Sequence, residues 1–227
     1  MRILELQLQT NKLKEQMEFY TSVLGLKTSC SSSGSVTFDI GSSNLTFTDD
    51  LSIENPFYHF AINIPENQIN EAIHWLKSKT ELMEYKNSQL VNFPNWNAHS
   101  VYFYDAGGNI AELIARHNLN NASNKEFTAA SFLNISEVGM PVDSIKDFYN
   151  SLNQKLNEKL WWGNLETFAA IGDEEGLFIA VPPQRNWFPT DKPSRIFPLT
   201  VKTENKKALS SIFEYSCYKI FSKPITL

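Results

Sequence analysis

The chain has 227 residues, of which 42% are hydrophobic and 13% aromatic, and this is enough apolar material for the cores of one or two domains. Its formal net charge of −5 and its pI near 5.4 argue against nucleic acid or an anionic membrane as the main partner. No apolar run approaches the roughly 18 residues that span a bilayer. The first residues lead directly into a strand pattern without signal-peptide features, so a cytoplasmic protein is expected.

The first 48 residues predict one strand-helix-strand-strand-strand unit. Leucines alternate with polar residues over 3–9, which is typical of a strand with one apolar face. A helix is predicted over 13–24, and Gly25 ends it. Three further strands are predicted over 27–31, 35–40 and 44–48, with Gly34 and Gly41 at the turns.

A second unit begins with the apolar strand 57–64 and continues with an amphipathic helix over 66–79. A strand near 82–85 and an irregular stretch around 92–96 precede a hairpin whose tight turn is at 105–109. The last strand of this hairpin carries a single carboxylate, Glu112, among apolar neighbours. Because a bare buried charge is very costly, Glu112 is expected to be paired, hydrogen-bonded or bound to a metal.

The second half of the chain repeats the pattern with less regularity. Residues 119–130 are polar and turn-rich and predict a linker. A strand over 135–142, a helix over 143–152 and strands over 159–162, 166–171 and 177–181 then predict a third unit. After a proline-rich loop, the pattern predicts a strand over 195–202, a helix over 204–215 and a strand over 217–221. The fourth unit would therefore lack its last two strands.

Two motifs resemble those of the vicinal oxygen chelate superfamily, which includes glyoxalases, bleomycin-resistance proteins and extradiol dioxygenases. One is the hairpin Asp105-Ala-Gly-Gly-Asn109 followed by Glu112, in which Ala106 replaces the usual proline, and the other is the helix end Phe19-Tyr-Thr-Ser-Val-Leu-Gly-Leu26. The resemblance implies an α+β fold of paired βαβββ modules, each pair forming an open eight-stranded cup. It predicts a complete pair over 1–118, a linker over 119–130 and an incomplete, degenerate pair over 131–227.

The resemblance also implies where metal ligands lie. The first-strand ligand position of the four modules falls on Glu5, His59, Glu137 and Phe197, and the fourth-strand carboxylate position falls on Phe47, Glu112 and about Ile179. Only the first pair then keeps a set of three, Glu5, His59 and Glu112, so Glu137 and its half are interpreted as structural. This set suits a divalent zinc, manganese, nickel or iron ion. Glu112 and Glu5 are also the candidate catalytic residues.

Other interpretations of these residues remain open. Glu112 could form a buried salt bridge with Arg116, and His59 could be a structural, hydrogen-bonded histidine. Glu5 departs from the usual histidine and could be solvated at the mouth of the cup. Four residues are predicted to contact the substrate, namely Gln7 and Asn63 on the inward strand faces and Trp96 and Tyr102 along the pocket.

Three functions are compatible with this sequence. The first is a metal-dependent lyase, isomerase or transferase of glyoxalase type, which acts on a small molecule through adjacent oxygens chelated to the metal. The second is a metal-free binding protein of bleomycin-resistance type. The third is an extradiol-type dioxygenase, which two carboxylates and one histidine disfavour because oxygen-activating iron sites prefer two histidines and one carboxylate. A small-molecule ligand is expected in each case, and the open sheet edge predicted for the fourth module would be hidden by self-association, as in a homodimer, or by a covering loop.

Overall fold

The computed structural model describes residues 1–205 and 210–224. Its first half contains two βαβββ modules. The elements of the first are β1 (Arg2–Thr10), α1 (Leu13–Glu18) with a π-helical turn (Phe19–Val23), β2 (Thr28–Ser31), β3 (Ser35–Ile40) and β4 (Ser43–Asp49). Those of the second are β5 (His59–Ile64), α2 (Ile69–Lys77), β6 (Val91–Phe93), β7 (Ala98–Tyr104) and β8 (Ile110–Arg116). The predicted strand near 82–85 is reduced to a single bridge at Leu82.

The second half contains a third complete module and part of a fourth. The third consists of β9 (Asn134–Pro141), α3 (Ile145–Leu156), β10 (Leu160–Asn164), β11 (Phe168–Asp173) and β12 (Gly176–Val181). The described strands of the fourth are β13 (Leu199–Asn205), β14 (Ser211–Tyr215) and β15 (Tyr218–Pro224). The α+β class and the βαβββ modules are thus as predicted. None of the described helices has the length and apolar composition that crossing a bilayer would need.

The fourth module differs from its prediction, which placed a helix over 204–215. Residues 206–209 lie outside the described part of the chain, but Ser211–Tyr215 is a strand paired antiparallel with β15. Its burial alternates, because Phe213 is buried while Ile212 and Glu214 are exposed. This period of two is that of a strand with one covered face.

In every module the first and last strands are parallel neighbours, and the modules then join through their first strands. β5 pairs antiparallel with β9, which gives an eight-stranded sheet in the order β6-β7-β8-β5-β9-β12-β11-β10. β1 pairs antiparallel with β13, which gives a seven-stranded sheet in the order β2-β3-β4-β1-β13-β15-β14. The complete cup therefore combines modules two and three, and the incomplete cup combines modules one and four.

This pairing corrects the prediction that consecutive modules, within 1–118 and within 131–227, form the two cups. The two sheets are continuous through one bridge between Ile3 and Ile135. The predicted linker therefore joins modules two and three, which belong to the same cup, and does not separate two cups. It is tied to the start of α2, where the Gln68 side chain donates to the Lys125 carbonyl at 2.6 Å and Asn121 accepts from the Glu66 amide at 2.9 Å.

Candidate metal centre

His59 begins β5 and is buried, with 5% of its surface exposed. Its Nδ1 lies 3.1 Å from the Ile110 carbonyl oxygen on β8, and since a carbonyl only accepts, this nitrogen carries the proton. Burial lowers the pKa of His59 to about 4, so the ring is neutral near pH 7 and Nε2 has a free lone pair. A histidine whose second nitrogen is fixed by a backbone carbonyl has the usual arrangement of a metal ligand.

Glu112 lies on β8 and directs one carboxylate oxygen toward His59. Its Oε1 accepts a 2.5 Å hydrogen bond from Ser100, while Oε2 lies 3.6 Å from Nε2 of His59. Burial, together with the nearby Glu137 carboxylate, raises the pKa of Glu112 to about 8. Because His59 is neutral, the contact between these two residues is not an ion pair at neutral pH.

Glu137 enters the site from β9, on the other module of the cup. Its Oε1 accepts a short hydrogen bond from Nη2 of Arg116, which is fully buried. Arg116 also donates from Nε to the Ser136 hydroxyl at 3.1 Å, and its guanidinium lies over the Trp96 ring at 5.3 Å. Burial raises the pKa of Glu137, and the charge of Arg116 opposes that rise. Glu137 therefore has a counter-charge within the protein, the guanidinium group of Arg116.

The donor atoms of His59, Glu112 and Glu137 fit a single metal ion. One ligand atom from each lies within 4.8 Å of the other two. Two ligands about 2.1 Å from a tetrahedral metal are roughly 3.4 Å apart. The 3.6 Å separation between His59 Nε2 and Glu112 Oε2 matches that spacing and is too long for a hydrogen bond. In the described part of the chain, no other group of three such donors is this close.

These three residues lie on the floor of a cavity of about 400 Å³. Its walls are mainly aromatic and come from both modules and from the segment between β12 and β13: Phe93, Trp96, Tyr102, Trp162, Phe168, Trp187 and Phe188. Asn95, Asn164, Thr167 and Arg185 supply polar groups along the lining. An apolar cavity of this size with a few convergent polar groups is typical of a small-molecule site.

Close packing fixes one wall of the cavity. Trp187 lies 5.1 Å from the His59 ring, between centroids, and is 3% exposed. A Cβ atom on Gly139, two residues beyond Glu137 on the same face of β9, would lie 2.6 Å from the Trp187 ring. Glycine at 139 is therefore what allows the indole to pack beside His59.

The structure brings together only part of the predicted site. His59, Glu112, Trp96 and Tyr102 all line the cavity, as expected. Glu5 does not reach it: β1 lies in the other cup, where the Glu5 carboxylate pairs with Lys202 of β13 at 2.6 Å. The predicted metal set Glu5, His59, Glu112 is therefore wrong at Glu5, and so is the catalytic role given to that residue.

Gln7 and Asn63 are also outside the cavity lining. The Gln7 amide donates to the Thr48 hydroxyl at 2.9 Å within the incomplete cup. Asn63 is fully buried and donates to the Glu174 carbonyl and to Asn134, each at 3.3 Å. Gln7 is excluded because module one belongs to the other cup. Asn63 lies on β5 of the complete cup, but its contacts with Asn134 and Glu174 place it beyond the cavity lining.

Sequence reasoning missed Glu137 as a site residue, although the signal was present. Glu137 is a lone carboxylate in the apolar strand β9, which is the argument that singled out Glu112. It also falls on the first-strand position of its module. Arg185 and Trp187 gave no such signal, because they lie in the irregular segment between β12 and β13.

No protein family model matches this sequence, and no curated protein matches it. Solved structures do share the fold. A candidate dioxygenase from Bacillus subtilis aligns with a TM-score of 0.64 at 12% identity, over 99% of this chain and 86% of its own. Glyoxalase I from Zea mays aligns with a TM-score of 0.59 at 12% identity, over 97% of this chain and 91% of its own. The chain has the vicinal oxygen chelate fold.

Within the vicinal oxygen chelate fold, strand register defines equivalent positions in the modules. Ala61, two residues after His59, pairs with Glu112, and Gly139, two residues after Glu137, pairs with Ile179. Ile179 therefore holds in module three the place that Glu112 holds in module two, as the sequence predicted. The complete cup carries three potential ligands and one isoleucine at its four positions.

The same register in the incomplete cup corrects two sequence assignments. Gln7, two residues after Glu5, pairs with Thr46 on β4 and with Thr200 on β13. The equivalent positions are thus Thr46 and Thr200, in place of the predicted Phe47 and Phe197. With Glu5 neutralised by Lys202, the incomplete cup lacks a comparable donor set among the described residues.

Proposed function

We propose that this protein is a metal-dependent enzyme of glyoxalase type, a lyase, isomerase or transferase that acts on a small molecule through two adjacent oxygens. The observation that carries the proposal is the convergence of His59, Glu112 and Glu137 on the floor of the aromatic cavity. The structural likeness to glyoxalase I concerns the fold, so the donor set carries the chemical argument.

Each of the three residues offers one suitable atom to a divalent cation. His59 offers the lone pair of Nε2, Glu112 offers Oε2, and Glu137 offers the oxygen that Arg116 does not hold. Zinc, manganese, nickel and iron all accept imidazole and carboxylate ligands, and three protein ligands leave positions for substrate oxygens. When bound, such an ion would polarise a substrate oxygen and stabilise negative charge that develops there.

The protein's own groups contribute proton control and exclusion of water. In the metal-free protein, burial and the nearby Glu137 carboxylate raise the pKa of Glu112 to about 8, and its carboxylate beside the cavity is placed to accept a proton from a substrate. The hydrogen bond from Ser100 fixes Oε1 and leaves Oε2 toward the cavity. The surrounding aromatic walls keep the local dielectric low, which strengthens electrostatic interactions with a bound substrate. Glu112 is accordingly the proposed catalytic residue.

Metal analysis of protein purified without chelators or metal-affinity tags tests the proposal. We expect close to one equivalent of a divalent transition metal, or stoichiometric binding when the metal-free protein is titrated with Mn²⁺, Zn²⁺, Ni²⁺ or Fe²⁺. His59→Ala should abolish binding and Glu137→Gln should weaken it. Glu5→Gln is the matched control, because Glu5 is a first-strand acid outside the cavity, and it should bind as the wild type does. Absence of binding in the wild type, or equal loss in Glu5→Gln, would contradict the proposal.

The metal-free binding protein is the second candidate, and Arg116 is the observation that favours it. Its charge already neutralises Glu137, and a protonated Glu112 would leave the three candidate ligands without an unbalanced negative charge in the absence of a metal. The same cavity would then retain a ligand without a metal, through its aromatic walls and its polar lining. The extradiol dioxygenase ranks third, because one histidine and two carboxylates invert the donor ratio that oxygen-activating iron sites prefer.

A further inference from the structure

Arg185 extends into the cavity from the segment between β12 and β13, and its backbone is held firmly. The Ser194 amide donates to the Arg185 carbonyl at 2.8 Å, and the Gln184 amide donates to the Ser194 carbonyl at 3.0 Å. Ser194 is fully buried, and its hydroxyl donates to the Pro182 carbonyl at 3.0 Å. These contacts fix the backbone from which the Arg185 side chain extends, and none of them involves its guanidinium group.

The guanidinium of Arg185 is half-buried and has no anionic partner in the described ranges 1–205 and 210–224. It lies 5.2 Å from the centre of the Phe168 ring, on the cavity wall. It forms no hydrogen bond or ion pair there, whereas the buried Arg116 is engaged by Glu137 and Ser136. Burial lowers the pKa of Arg185, which reflects the incomplete hydration of its charge. A partly desolvated cation in an apolar cavity gains most from an anionic ligand.

We infer that Arg185 anchors a carboxylate or phosphonate group of the ligand, while a flat apolar portion of the ligand lies between the aromatic walls. A carboxylate and a phosphonate each present two oxygen atoms that a guanidinium group can bind in bidentate fashion. Trp162, Phe168 and Phe188 offer ring faces along the lining, and about 400 Å³ accommodates a one- or two-ring body. The inference that this ligand is the substrate rests on the proposed function.

A pair of probes that differ only in charge tests this anchor. Metal-free protein would be titrated with 2-naphthoate and with 2-naphthamide, and binding followed by tryptophan fluorescence, since Trp96, Trp162 and Trp187 line the cavity. We expect the wild type to bind the acid roughly tenfold or more tightly than the amide, as charge-assisted hydrogen bonds would provide. Arg185→Gln should lose this preference and bind the amide as the wild type does.

Arg195→Gln is the matched control. Arg195 belongs to the same segment and its guanidinium lies over a phenylalanine, Phe197, at 5.0 Å, but it does not line the cavity. It should keep the wild-type preference, and thermal melting should show all variants folded. The inference is overturned if the wild type binds the acid no better than the amide, if it binds neither, or if Arg195→Gln loses the preference equally.

The metal-free titration separates this inference from the proposed function. Without a metal, naphthoate cannot gain affinity by coordinating one, so any preference for the acid comes from the protein. If the protein binds no metal but the preference depends on Arg185, the enzyme proposal fails and a binder of anionic aromatic molecules remains. If the metal binds and the preference is absent, the enzyme proposal stands and the Arg185 anchor is wrong.

Discussion

Arg116 forms its ion pair with Glu137 on β9, not with Glu112 on its own strand. Glu112 and Glu137 lie at the same level of the sheet, since both pair with Ala61, and the Arg116 charge also opposes the rise that burial causes in the pKa of Glu112, without an ion pair between them. β5, the first strand of module two, lies between β8 and β9 and pairs with both. This arrangement brings Glu137 on β9 close to Arg116 on β8. One buried ion pair thus connects modules two and three at the candidate metal site.

Replacement of Arg116 by methionine should destabilise the metal-free protein by about 3–5 kcal/mol, because Glu137 is left buried without its counter-charge. Urea denaturation in a chelator-containing buffer measures this change. Arg2→Met is the control, since Arg2 pairs with Glu175 at 3.0 Å on an exposed surface and should change stability by less than about 1 kcal/mol. Similar losses of stability in the two variants would show that the buried ion pair contributes no more to stability than the exposed one.

Local patterns predicted the first three modules, and the family resemblance pointed to two of the three candidate ligands. His59 and Glu112 are polar residues in otherwise apolar strands, at the positions that the resemblance implied. Glu137 gave the same signal but was assigned to a structural half. That error came from the assumption that consecutive modules share a cup, not from the residue itself.

The choice of module partners is a tertiary property that the local pattern does not contain. The first strands of modules one, two and three each carry a polar or charged residue at the ligand position, so β1 and β9 are equally plausible neighbours for β5. Packing of whole modules decides between them. Arg185 was missed for a related reason, because its direction depends on hydrogen bonds between two distant parts of an irregular segment, at Gln184 and Ser194.

The stability of the metal-free protein should fall between pH 6.5 and 8 because of Glu112. Its pKa has the ordinary glutamate value of 4.5 in the unfolded chain and rises to about 8 in the folded protein. Protonation therefore stabilises the fold fully below pH 4.5, and this contribution is lost as the pH rises through 8. His59 has the opposite sign, with its pKa lowered from 6.5 to about 4, so its contribution is lost as the pH falls below 6.5.

Above pH 6.5, Glu112 is thus the one of this pair whose titration changes stability. Glu112→Gln, which keeps the shape of the protonated acid, should remove a decline of about 1–2 kcal/mol between pH 6.5 and 8. Denaturant titrations at several pH values in a chelating buffer measure it. Glu5→Gln should keep the wild-type slope, and an unchanged slope in Glu112→Gln would contradict the raised pKa.

Gly139→Ala should destabilise the protein and disturb the cavity. The new Cβ would lie 2.6 Å from the Trp187 ring, so the indole must move away from His59. Overpacking of this kind costs about 1–3 kcal/mol. Gly34→Ala is the control, because a Cβ there meets no atom within 4 Å. Trp187→Phe should recover part of the loss in the double variant, and additive losses would indicate that the two residues do not interact.

Ile179→His should strengthen metal binding. Ile179 is 2% exposed, lines the cavity and occupies in module three the register position of Glu112, so an imidazole there would face the ion as a fourth donor. Calorimetric titration with Mn²⁺ or Zn²⁺ should show that the variant binds the metal roughly tenfold more tightly. Residues that only hydrogen-bond to metal ligands already change affinity by roughly tenfold or more, so a direct donor should do at least as much. Ile179→Val is the control, since it removes one methyl group and adds no donor, and it should keep the wild-type affinity. If Ile179→His remains folded and binds the metal no more tightly, the ion does not lie between His59, Glu112 and Glu137 at the centre of the cup. The register argument that equates Ile179 with Glu112 would then fail with it.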